Sequence, residues 1–140
     1  MKSVDQWFDE YGESHRNPIN KLVHWICVPL ITFSVLGMLW ALHPVAAAVV
    51  VGLALAFYVV LSWQLAVVMA LQSLIMLWIL SLMPWVFWPC VAIFVLAWIG
   101  QFVGHQVEGK KPSFFKDLQF LLIGPAWLMG FVFRRLGWGY

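Results

Sequence analysis

The chain has 140 residues, enough for one domain, and 64% of them are hydrophobic while only 10% are charged. A soluble domain carries about 25% charged residues, so a soluble globule is excluded and the class is a polytopic membrane protein. The net charge of +2 gives no electrostatic case for nucleic acid as a partner.

In chain order, Met1 to Lys21 is polar and mixed in charge, without the short apolar run and small-residue site of a signal peptide. Within it, Val4 to Tyr11 places Trp7, Phe8 and Tyr11 at helical spacing. That pattern predicts a short amphipathic helix, lying at the membrane interface or packed on the protein's own polar face. From Leu22 to Val107 there is no Asp, Glu, Lys or Arg. On the ruler of about 20 apolar residues per span, this block divides into Leu22–Leu42, Val45–Leu61, Leu65–Met83 and Trp85–Val103. The breaks fall at His43-Pro44, Ser62-Trp63-Gln64, Pro84 and Gly104. Such short turns predict antiparallel neighbours in a compact bundle. Trp40, Trp63, Trp85 and Trp88 fall near the proposed boundaries, where indoles prefer to sit. Asn17 can cap the first helix, with Pro18 in its first position. Cys27 and Cys90 are isolated in apolar runs and read as buried small hydrophobes.

Beyond His105 the chain is polar through Lys116, and Asp117 to Phe133 is apolar but interrupted by Gly124-Pro125. A fifth crossing would place Arg134 and Arg135 opposite Lys2, Arg16, Lys21, Lys110, Lys111 and Lys116. The segment therefore reads as a re-entrant or interfacial hairpin, with a fifth span as the alternative. With four spans the basic residues share one face, which the positive-inside rule makes cytoplasmic. The expected architecture is all-α: a single integral membrane domain over residues 1–140. It comprises an interfacial segment at 1–21, a four-span bundle at 22–104, and a site loop with C-terminal hairpin at 105–140.

An even number of crossings brings both ends of the charge-free block to one face. His15 and His24 stand at its entrance and His105 at its exit, with Glu108 three residues on. Asn20 and His24 share a helix face, as do His105 and Glu108. Imidazoles suit iron, zinc, copper and nickel, and three of them leave coordination positions open on a six-coordinate metal. Glu108, Asn17 and Asn20 are candidates to orient the ligands. Each histidine taken alone reads as readily as an interfacial side chain; their placement on one face, where polar residues are scarce, points to function. His43 lies at the opposite face and reads as a turn residue. Gln64, Gln72 and Gln101 read as helix–helix contacts, although Gln101 lies one turn before His105 and could face the site. Phosphate-binding glycine loops, nucleophile elbows, paired zinc-protease histidines and the clustered histidine boxes of membrane desaturases are all missing from the sequence.

The string Tyr11-x3-His15-x-Asn17-x2-Asn20-x3-His24-x2-Cys27-Val28-Pro29 resembles the N-terminal motif of the Fe(II)-dependent 2-hydroxy fatty acid dioxygenases. So do Gln101-Phe102-Val103-Gly104-His105, the following Glu108 and Lys110-Lys111-Pro112, and Leu121-Leu122-Ile123-Gly124-Pro125. The resemblance covers essentially the whole chain. It implies α-oxidation with O2 and Fe(II), in which a 2-hydroxy fatty acid loses its carboxyl carbon and becomes one carbon shorter. It also implies that His15, His24 and His105 hold the metal, with Glu108 catalytic either as a further ligand or by orienting His105. The substrate would chelate through its 2-hydroxyl and carboxylate. Arg16, Lys110 and Lys111 are candidates for the carboxylate, with Asn17 and Asn20 beside them, while the acyl chain lies among the spans. Fungal members act in the endoplasmic reticulum and bacterial relatives are common. The Gly137–Tyr140 end carries no retention signal, which favours a bacterial inner membrane. Two other classes remain compatible with the residues: a zinc-dependent lipid hydrolase, and a non-enzymatic membrane scaffold, transporter component or haem-binding bundle. Few polar groups near the span centres weigh against transport.

Overall fold

The computed structural model describes residues 2–109 and 120–140. Among these residues the secondary structure is entirely helical: α1 (Val4–Gly12), α2 (Pro18–Leu42), α3 (Pro44–Leu61), α4 (Trp63–Leu82), α5 (Phe87–Glu108) and α6 (Ile123–Leu136). Helices α2 to α5 are each long and apolar enough to cross a membrane, and the chain is an integral membrane protein. Their outward side chains, including Leu53, Val60, Leu71 and Leu96, are apolar and exposed, as a lipid-facing surface requires. Trp63, Trp85 and Trp88 are exposed at helix ends.

Local chemistry sets the helix boundaries. Asn17 caps α2, its side-chain oxygen accepting from the N–H groups of Ile19 and Asn20, and Pro18 takes the first position. His43 and Ser62 are extended residues that end one span and cap the next, through hydrogen bonds to the N–H groups of Val45 and Leu65. Each therefore makes an antiparallel turn with a single residue between helices.

The fourth span differs from expectation. Gly104 does not end it; α5 continues to Glu108 and stops at Gly109, whose φ of 80° is left-handed. The reason lies in packing. A β-carbon at Gly104 would stand 2.5 Å from Asn20 Oδ1, so this glycine admits α2 against α5 rather than terminating the helix. The same close approach recurs deeper along this pair, where a β-carbon at Gly37 would collide with Cys90 Sγ. Among the described residues, α2 and α5 form the most extensive helix pair.

The segment after residue 119 is a turn at Phe120–Leu122 followed by α6. Gly124-Pro125 does not interrupt this helix but lies in its first turn, where a missing N–H costs nothing. At 14 residues α6 is about 21 Å long, short of the ~30 Å hydrocarbon core. It packs instead on α1, α2 and α4. Phe8 and Tyr11 of α1 join Trp127, Leu128 and Phe133 of α6 in one buried cluster with Tyr58, Leu65 and Met69 of the spans. Tyr58 donates its hydroxyl to the carbonyl of Leu122 at 2.6 Å, tying the turn to α3. The amphipathic N-terminal helix is thus packed on the protein itself. Together α1 and α6 cover the end of the bundle where α2 begins and α5 ends.

Candidate metal centre

Three histidines lie under this cover. His15 comes from the loop between α1 and α2, His24 from the second turn of α2, and His105 from the last turn of α5. They are 2%, 1% and 4% exposed, and one ring nitrogen from each falls within 4.8 Å of the others. Residues 15 and 105 are far apart in sequence, yet their rings are 5.4 Å apart, and those of His24 and His105 are 5.2 Å apart.

Backbone carbonyls set the orientation of two rings. His15 Nδ1 lies 2.6 Å from the carbonyl of Tyr11, and His24 Nδ1 lies 2.9 Å from the carbonyl of Asn20. A carbonyl only accepts, so each Nδ1 is the protonated nitrogen. In a neutral ring so oriented the Nε2 atom presents a lone pair, and the two Nε2 atoms face each other at 2.9 Å. Two lone pairs hold this separation only around a shared proton or a shared cation. The tyrosine ring of Tyr11 stacks on His15 with centroids 4.1 Å apart and planes within 5°. Trp127 of α6 leans on the same ring at 5.5 Å. The donor set, all imidazole and buried, with carbonyls fixing two tautomers, fits a first-row divalent metal.

The other predicted site residues fall in distinct places. Glu108 points at the loop that carries His15: its two oxygens accept from the N–H groups of Arg16 and Asn17, each at 2.6 Å. Asn17 is occupied as the α2 cap. Asn20 is fully buried between α2 and Gly104, and its amide donates to the carbonyl of Ser14 at 3.1 Å. Its backbone carbonyl, rather than its side chain, contacts His24. Arg16 is exposed and lines a polar cleft that reaches His15, in company with the cations Lys21 and Arg134 and the carboxylates Asp9 and Glu13. Lys110 and Lys111 lie outside the described residues. Tyr11, one turn before His15 in the motif string, acts through its carbonyl and its ring. One contributor, Arg134, was not singled out as a site residue from the sequence. Arg134 reaches the cleft from the last turn of α6, a helix that packs on α1. Gln101 is buried one turn below His105. His43 stands at the far end, spent on capping α3.

The family model described as 2-hydroxy-palmitic acid dioxygenase Mpo1-like matches residues 1–136. The 2-hydroxy-palmitic acid dioxygenase MPO1 of Saccharomyces cerevisiae is 29% identical over 135 residues, covering 91% of this chain and 78% of the yeast protein. No solved structure matches the chain. With the match running almost end to end, the chain belongs to the Mpo1-like family.

Proposed function

We propose that this protein is an Fe(II)-dependent dioxygenase that shortens 2-hydroxy fatty acids by one carbon. The observation that carries the reading is the convergence of His15, His24 and His105, from both ends of the spanning block, into one buried set of nitrogens. The yeast relative's name supplies the substrate class.

In this reading His15, His24 and His105 hold the iron. Bound there, ferrous iron supplies the one-electron chemistry that lets O2 react with a closed-shell hydroxy acid. In the overall balance the C1–C2 bond breaks, C2 becomes the new carboxyl carbon and C1 leaves as carbon dioxide. The electrons lost by both carbons reduce O2 to the level of water. The protein's part is placement. The carbonyls of Tyr11 and Asn20 hold the Nδ1 protons of His15 and His24 and so aim both Nε2 atoms inward. Glu108 fixes the His15 loop to α5 through two backbone N–H groups and acts as a positioning residue. Arg16, Lys21 and Arg134 draw the substrate carboxylate to the polar cleft beside His15. The cover of α1 and α6 excludes bulk water from the reacting centre. In this reading the centre faces the cytoplasm, the side favoured by the basic residues at this end under the positive-inside rule.

Purified protein should contain iron and convert 2-hydroxypalmitate to the acid one carbon shorter only when O2 is present. Turnover of a lipid ester under anaerobic conditions by a zinc-loaded protein would replace this reading with a hydrolase.

A further inference from the structure

Beneath the histidines the bundle is not solid. One helical turn deeper, Tyr11, Val28, Gln101, Leu121 and Pro125 border a tight neck of about 10 Å³, room for about one water molecule. Val28 follows His24 by one turn on α2, and Gln101 precedes His105 by one turn on α5, so the neck lies directly below the centre. Leu121 and Pro125 also border a second, larger space of about 80 Å³ between α2, α3 and α4. Its lining is nearly all apolar, with Tyr58 and Met69 at the site end, and Leu36, Val51 and Ser73 deepest in the bundle. Leu36 and Val51 pack with Met76, Leu80 and Cys90, which close the floor.

We infer that the substrate's acyl chain runs from the three histidines through the neck at Gln101 into this cleft, and that Leu36, Val51 and Ser73 set the chain length the protein prefers. The inference rests on the 2-hydroxy acid reading above and adds the path within the protein. Two observations carry it. The first is length: from His24 to Leu36 along α2 is ~18 Å at 1.5 Å per residue. One leaflet's acyl chain fills about half of the ~30 Å hydrocarbon core, so the path is about as deep as a long fatty acyl chain is long. The second is Gln101. Its side-chain oxygen is buried in the neck and has no hydrogen-bond partner among the described residues. A buried acceptor without a donor is costly. A fatty acid carboxylate offers no donor, whereas the 2-hydroxyl does. Gln101 therefore selects the hydroxylated acid at the head of the path, and the floor measures its tail.

Two readouts test the path. The first is the chain-length profile over 2-hydroxy acids from medium to long chain. In Ser73→Phe, kcat/KM for the longest acids should fall about tenfold or more while the shorter ones keep theirs, and Leu36→Ala should shift the preference to longer acids. An unchanged profile in both folded variants would overturn the inference. The second needs no turnover: a 2-hydroxypalmitate analogue with a diazirine at its chain end, activated by light. Label on Leu36, Val51 or Ser73 is expected. Label confined to the lipid-facing residues Val59 and Leu71 would place the chain in the bilayer and overturn the path. Label at the floor in a protein that consumes no O2 would leave the path standing and remove the dioxygenase reading instead. For Gln101, binding of 2-hydroxypalmitate should exceed that of palmitate in the wild type, and Gln101→Leu should erase most of that difference. Equal discrimination in the variant would remove Gln101 from the path.

Discussion

The two ends of the bundle use the same side chain in opposite ways. At one end His43 is exposed, and its Nδ1 accepts from Val45 N–H only two residues on, so its role is complete within a single turn. At the other end His15, His24 and His105 are buried together, and no short stretch of sequence could assemble them. A helix-capping histidine needs only its neighbours. A ligand set needs two helices, a loop and a cover, each held in place by something else. The difference teaches that function in this chain resides in its long-range contacts, and it is there that substitution should be felt most.

The largest effect is expected at the ligands. His24→Ala removes a buried nitrogen from the centre and should lower turnover of 2-hydroxypalmitate by well over ~100-fold, more than the loss typical of residues that merely orient a ligand. An O2-uptake assay at matched protein concentration measures this. The next contrast concerns the loop. Glu108→Gln keeps the shape but can offer only one oxygen to the two N–H groups of Arg16 and Asn17. Metal affinity should weaken about 10–100-fold with the helix content unchanged, as a chelator-competition titration would show. If affinity stayed at the wild-type value, Glu108 would have no part in placing His15.

Two glycines on the α2–α5 pair sharpen the comparison further. Gly104→Ala and Gly37→Ala each insert a methyl group where a side chain already stands, Asn20 in one case and Cys90 in the other. Each should cost about 1–3 kcal/mol of stability, seen as a lower thermal midpoint in detergent. Only Gly104→Ala should also reduce metal bound per folded molecule, because Asn20 carries the carbonyl that orients His24. Equal metal loss in both would mean that the centre senses the whole pair and not its own end. The smallest effect is expected at His43→Ala, with loss of a cap worth about 1 kcal/mol and unaltered activity per folded molecule.

Much of the fold was legible because a charge-free block interrupted by turn residues leaves few alternatives. Asn17 and Pro18 marked the start of α2, and His43-Pro44 its end, through chemistry that acts over two or three residues. The histidine cluster was legible for a topological reason: an even number of crossings returns the chain to the face it left. What sequence could not yield was anything decided by a distant partner. Gly104 looks like a terminator until Asn20 is seen beside it. The sequence leaves Glu108 open between a further ligand and an orienting residue, and only the fold shows its two oxygens accepting from Arg16 and Asn17. The candidates to orient the rings were side chains, whereas the contacts to His15 and His24 include the backbone carbonyls of Tyr11 and Asn20, which every residue type possesses. Gly124-Pro125 resembles a break until the helix is seen to begin there.

The central claim is that three histidines from the two ends of the chain hold one metal. Metal analysis of the purified wild-type protein beside His105→Ala, in the same preparation, tests it most directly. About one iron per wild-type chain is expected, and little or none in a variant that retains its helix content and its stability in detergent. Iron retained at the wild-type level in folded His105→Ala would contradict it.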